Sequence, residues 1–138
     1  MEMQNPSPPP KNSQNPKMEP IEILAKSNPG KDAKNIYALM SHSVDNDPNF
    51  RVMRANNTLF TYYNLKDGSI EAHMDTADNP RQLVDSIKQF MQACKAAKFK
   101  TIKFEVANPQ IIKAVQMAGG NPQMSGIQGQ SMQASVEV

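Results

Sequence analysis

The chain has no tryptophan, only three tyrosines and five phenylalanines among 138 residues, and a single cysteine, Cys94. One cysteine excludes an internal disulfide and any multi-cysteine metal site, and no other metal-spaced cluster appears. Cys94 falls on the apolar face of a predicted helix, where a thiol usually acts as a small hydrophobe. Only the nearby Lys95 and Lys98 favour a reactive thiolate. Long apolar runs are missing too, and the N-terminus has neither a basic start nor a signal-type apolar stretch, so a soluble protein made in a cytosol is expected. An excess of one charge is also absent: 15 Lys and Arg are scattered among 13 Asp and Glu, for a net charge of +2. That pattern offers no electrostatic footprint for a nucleic acid backbone, and neither nucleic acid nor membrane is an expected partner.

What the chain does have is divided unevenly. Residues Met1 to Pro20 hold six of the eleven prolines together with Asn, Gln and Ser. Pro8-Pro9-Pro10 can only be extended, because proline fixes φ and donates no amide hydrogen. Such a segment cannot bury enough apolar surface to offset its own ordering, so residues 1–20 read as an arm. It is either a solvated tail or a segment ordered by neighbouring subunits, with Pro8, Pro9 and Pro10 as the partner-binding residues. Residues 21–138 hold nearly all the large apolar residues and are long enough to bury one core.

Three Asn-Pro pairs punctuate that stretch. Asparagine accepts a hydrogen bond from a free amide at a helix start, and proline at the first helical position gives up an amide that had no partner. Asn28-Pro29 is expected to open a helix with Ile36, Tyr37, Met40 and Val44 on one face. Asn79-Pro80 opens a longer one striped by Leu83, Val84, Ile87, Phe90, Met91, Cys94 and Ala97, with Gln82 placed for a capping box. Asn108-Pro109 opens a third, with Ile111, Ile112, Val115 and Met117, closed by Gly119-Gly120.

Between the first two helices the apolar period is two. Phe50 to Arg54, Leu59 to Asn64 and Ser69 to Asp75 read as an antiparallel meander, with Lys66-Asp67-Gly68 as a hairpin turn. Ile102, Phe104 and Val106 mark a fourth strand, parallel to the one before it because a long helix intervenes. Met132, Ala134, Val136 and Val138 mark a last strand, and the residues from Asn121 to Ser131 have no clear period. Of the ten methionines, Met117, Met124 and Met132 fall near the C-terminus. They are expected to fill the core, or else to form an adaptable interface.

Candidate chemistry is sparse. Glu71, His73 and Asp75 share one strand face and could hold a metal or supply a base, although a half-exposed strand shows the same alternation. His42 is expected near a helix end, where the dipole favours an imidazolium. No Ser-His-Asp order or glycine-rich nucleotide loop is present.

The order helix, three antiparallel strands, long helix, strand, helix, strand resembles the GNAT N-acetyltransferase fold, a mixed α/β (α+β) sheet, over residues 21–138. The family commonly carries, after its fifth strand, Asn followed at +3 by Ala, +7 by Tyr, +11 by Gly and +12 by Phe. In KTIKFEVANPQIIKAVQMAGG, Asn108 and Gly119 match, whereas Ile111, Val115 and Gly120 do not. The resemblance makes the tyrosine a general acid for the leaving thiolate, and Val115 has no proton to give. It also places a glycine-rich loop for the coenzyme A pyrophosphate between the third strand and the long helix. There this chain reads Asp75-Thr76-Ala77-Asp78-Asn79-Pro80-Arg81-Gln82. That loop has no glycine, two carboxylates and a proline in place of one amide.

These departures lead to an expected non-enzyme: a GNAT-like structural or adaptor subunit without a cofactor, its partners other protein subunits of an assembly. The resemblance extends to small degenerate domains of tailed bacteriophage particles, implying host cytoplasm during synthesis and then the virion. The alternative is an active acetyl-CoA-dependent N-acetyltransferase with an atypical coenzyme loop and Glu71 or His73 as base. A weaker possibility is a regulatory module that binds a small ligand in the cleft between splayed central strands.

Overall fold

A computed structural model describes residues 17–128 and 131–138 of the chain. The proline run 8–10 and most of the expected arm lie outside the described residues. Along the chain stand α1 (Pro20–Ser27), α2 (Ala33–Asn46), β1 (Phe50–Ala55), β2 (Thr58–Asn64), β3 (Ser69–Thr76), α3 (Pro80–Ala96), β4 (Thr101–Val106), α4 (Pro109–Met117), β5 (Gln123–Gln128) and β6 (Ser131–Glu137). The strands form one mixed sheet in the order β1-β2-β3-β4-β6-β5. Among the described residues, only the β3–β4 pair is parallel, as the intervening α3 requires. This is the α/β architecture expected from the sequence.

Two of the three Asn-Pro pairs act as read. Asn79 accepts from the Gln82 amide and Asn108 from the Gln110 amide, each with proline at the first helical position. The first pair does not. Asn28 is the C-cap of α1, and α2 starts only at Ala33, where the Asp32 carboxylate accepts from the amides of Lys34 and Asn35. Gly30 lies between them at φ +81°, a left-handed turn that separates the two helices. The sequence reading missed α1, although Glu19, Pro20 and Glu22 carry its start signal: Glu19 and Glu22 form a reciprocal capping box. It also missed β5. Gly126 at φ +132° and a register shift between Met124 and Gly126 obscure that strand's alternation.

The two faces of the sheet bury different things. On one, Phe60, Ile70, Ile102 and Val136 pack against Ile87, Phe90 and Cys94 of α3 and Val115 of α4. Phe60 and Phe90 stack there at 4.3 Å. On the other, Leu59 packs against Ile23 and Leu24 of α1 and Ala33 of α2. The second cluster is small, so beyond α1 and α2 that face carries exposed polar residues such as Glu71 and His73. Met18 packs on this cluster, and its amide donates to Asn57 Oδ1 at 3.0 Å.

The methionines divide: Met53, Met74 and Met91 pack against the core as expected, whereas the three near the C-terminus do not. Met117, Met124 and Met132 are 68%, 45% and 42% exposed. Met117 projects from α4 away from the sheet, while Met124 and Met132 flank the buried Ala134 near the β5 edge.

The feature that positions a site is a gap in the sheet. The β3–β4 ladder runs only from Ser69↔Thr101 to Ala72↔Phe104. Beyond it β3 stays paired to β2 as far as Thr76, and β4 to β6 as far as Val106. The two halves of the sheet therefore diverge in the middle, leaving facing strand edges that do not pair with each other.

Candidate functional site

A cavity of about 170 Å³ occupies this splay. Phe60, Met74, Phe90, Ile102, Phe104 and Val115 are among its walls, so it is apolar for most of its length. Its lining also includes His73 and Glu105, residues of the two diverging strands beyond their last paired positions. An apolar slot with a few polar groups in its lining is the usual form of a small-molecule site.

Period-two alternation puts Glu71, His73 and Asp75 on the same face of β3, as expected, but their environments differ. Glu71 and His73 are exposed; Asp75 is only 4% exposed. The reading of all three as a solvated strand face fails for Asp75, because α1 covers it. Asn28 Nδ2 donates to Asp75 Oδ1 at 3.0 Å and to the Leu24 carbonyl at 2.9 Å. Ser27 Oγ accepts from the Thr76 amide at 3.1 Å, which fastens the end of α1 to β3. The other carboxylate oxygen, Oδ2, faces His73 Nε2 at 3.5 Å.

The electrostatics follow from that packing. Hydrogen bonding to Asp75 raises the His73 pKa above its ordinary value; desolvation opposes the rise, and the charges of Asp75 and Glu105 add to it. Burial alone would raise the pKa of Asp75, but bonds from His73 and Asn28 outweigh it and hold the carboxylate below its usual range. A buried carboxylate thus faces an exposed imidazole at Nε2, a pairing that can fix the tautomer of a histidine. Nothing in the sequence reveals Asn28 as a partner, since it lies 47 residues from Asp75.

The other expected site residues are elsewhere. His42 stands one turn before the end of α2, where its Nδ1 lies 3.2 Å from Asn46 Nδ2. Cys94 is buried, with its thiol pushed up to about 12 by desolvation. Val115 lines the cavity at 5% exposure, so no proton donor stands at that position. Gly120 is tightly enclosed: a Cβ there would lie 2.9 Å from both Val115 Cγ1 and Val136 Cγ2, which explains why no phenylalanine follows Gly119. Among the described residues, no group of three His, Cys, Asp or Glu is placed to hold a metal ion.

The loop from Thr76 to Arg81 is closed by its own side chains. The amide of Asn57 donates to Asp78 Oδ1 at 2.9 Å, and the hydroxyls of Thr58 and Ser86 donate to Asp78 Oδ2 at 2.6 and 2.7 Å. Thr58 gives its only hydrogen to that carboxylate. Thr76 must therefore donate across the 2.6 Å contact between the two threonine hydroxyls. The Asp78 amide donates to Thr76 Oγ1 at 3.0 Å and completes a ring. At the head of α3, Pro80 has no amide hydrogen and the Gln82 amide is taken by Asn79 Oδ1 at 2.9 Å.

No protein-family model matches the sequence, and no curated protein matches it. Solved structures do match the fold. A spermidine N-acetyltransferase chimera from Vibrio cholerae and its human counterpart superposes with a TM-score of 0.61 at 14% identity, covering 85% of this chain and 89% of that one. A ribosomal-protein-alanine N-acetyltransferase from Brucella melitensis gives 0.55 at 10% identity, over 78% of this chain and 80% of that one. A GNAT superfamily phosphinothricin acetyltransferase from Sinorhizobium meliloti, solved with acetyl-CoA, gives 0.53 at 11% identity, covering 78% and 70%. These neighbours overturn the expectation of a non-enzyme. They are acetyltransferases, so the scaffold is one that enzymes use, and nothing among them points to an assembly subunit. The chain has the GNAT acetyltransferase fold.

Proposed function

We propose that this protein is an N-acyltransferase that moves a short acyl group from a thioester to an amine, with the acyl end of the donor in the β3–β4 splay. The observation that carries this reading is the His73–Asp75 pair on the strand that borders the splay, with His73 among the residues lining the cavity. An amine attacks only as the free base, so it must lose a proton. His73 Nδ1 is the acceptor, and Asp75 fixes the ring and stabilises the imidazolium; the free amine forms the C–N bond as the C–S bond breaks, and the expelled thiolate departs and is protonated by water. Glu71, the other candidate base, is exposed and does not line the cavity. The likeness to acetyltransferases of spermidine and of a ribosomal-protein alanine supports an amine as acceptor.

Coenzyme A fits this chain in part only. The apolar slot suits an acyl-bearing arm. The diphosphate finds no cradle, because the loop before α3 has no glycine, α3 starts with a proline, and Asp78 already receives three hydrogen bonds. No step of the reaction is therefore assigned to the nucleotide.

The test is incubation of the full chain with an acetyl thioester and a panel of polyamines and peptide N-termini, read by mass spectrometry. Acetylated product is expected, with His73→Asn lowering kcat by about 10²–10⁴. Absence of product with every amine, or an H73N variant as active as the parent, would refute the assignment.

A further inference from the structure

We infer that the acyl donor is recognised through its thioester arm alone, and that a nucleotide diphosphate adds nothing to its binding. This rests on the acyl-transfer reading above and concerns how the donor is selected. Three observations carry it.

The first is the size of the slot. Sites for drug-sized ligands run from about 300 Å³ upward, and the splay holds about 170 Å³. That volume takes the acyl-thioester end of a donor and leaves a nucleotide outside the slot, against the loop before α3 or in solvent.

The second is the character of the walls. The slot is apolar, and the facing edges of β3 beyond Ala72 and β4 beyond Phe104 do not pair with each other. An extended arm bearing secondary amides could pair with backbone groups there as an added strand would. This chemistry belongs to a pantetheine-type thioester, whether free or attached to something larger.

The third is the loop beside the slot. A helix start binds diphosphate when its amides are free to point at the anion and the local charge is not already negative. Here Asn79 Oδ1 takes the Gln82 amide, Pro80 offers none, and the Asp78 carboxylate is fastened by Asn57, Thr58 and Ser86. Thr58 and Ser86 are fully buried, so this network is part of the core where β1, β2 and α3 meet. An incoming diphosphate would meet the field of a fixed carboxylate. It could open the turn only by breaking buried hydrogen bonds.

The experiment is a calorimetric titration of the full chain with S-acetylpantetheine and, separately, with acetyl-CoA, at two salt concentrations. The two dissociation constants are expected to agree within about threefold, with little salt dependence for either. Tighter binding of acetyl-CoA by tenfold or more, growing as salt is lowered, would overturn this inference and leave the acyl-transfer proposal standing. Failure of both ligands to bind at millimolar concentration would overturn the donor slot itself, and the proposed function with it. Amide-resolved NMR titration locates the binding: shifts at Met74, Phe104 and Val115 are expected with both ligands. Shifts at Asp78 to Gln82 that appear only with acetyl-CoA would again count against it.

Discussion

Replacing Asp75 with asparagine tests the central feature of the site, because the change is nearly isosteric and removes one buried charge. In the parent, Asp75 accepts from Asn28 Nδ2 at 3.0 Å and faces His73 Nε2 at 3.5 Å. The amide oxygen of an asparagine can keep the first contact, but the charge that favours imidazolium disappears. Desolvation, which lowers the His73 pKa, is then opposed only by Glu105, so the pKa must fall. The cost in stability is about 1–3 kcal/mol, the usual range for weakening a hydrogen bond to a buried charged group. Little of it comes from the His73 contact, whose imidazole is 69% exposed and screened by water.

The pH dependence has a definite sign. The folded-state pKa of His73 is raised, so its pairing energy is fully present below the ordinary histidine value and is lost as pH rises through the folded pKa. That of Asp75 is lowered, so its contribution is present above the ordinary aspartate value and is lost as pH falls through the folded pKa. The pair is therefore strongest between these limits. The assay is an NMR titration of imidazole protons. It is simple because the chain has only two histidines. In Asp75→Asn the His73 midpoint is expected to move to lower pH, and the acid limb of kcat/KM to move with it. A His73 midpoint that stays put or rises would refute the argument.

Other expectations follow from packing. Gly120→Ala should destabilise by about 1–3 kcal/mol, because the added methyl would stand 2.9 Å from Val115 and Val136 side chains; denaturant unfolding measures this. Lys98→Gly should stabilise by about 1 kcal/mol. Lys98 sits at φ +74° just past the C-cap of α3, in a turn where the Lys98 and Phe99 amides donate to Lys95 and Cys94 carbonyls; a thermal melt reads the gain. Cys94 should resist thiol reagents at neutral pH in the native protein and react on unfolding, since it is 3% exposed with a pKa pushed up to about 12. Rapid native labelling would show that the α3 face of the core opens readily.

The sequence determined the local structure wherever one residue's chemistry suffices. Asparagine before proline marked the starts of α3 and α4, and alternation marked β1 to β4 and β6, because caps and strand periods depend on near neighbours along the chain. It also showed that the loop before α3 lacks glycine. Tertiary structure decided the rest. Burial of Asp75 depends on α1 docking over β3, through a contact spanning 47 residues. The ring around Asp78 unites the β1–β2 turn with the second turn of α3. The splay exists because β3 and β4 each keep their outer partner while parting from one another. Whether a carboxylate is a solvated charge or a buried anchor depends on which distant donors surround it, and only the folded chain brings them together.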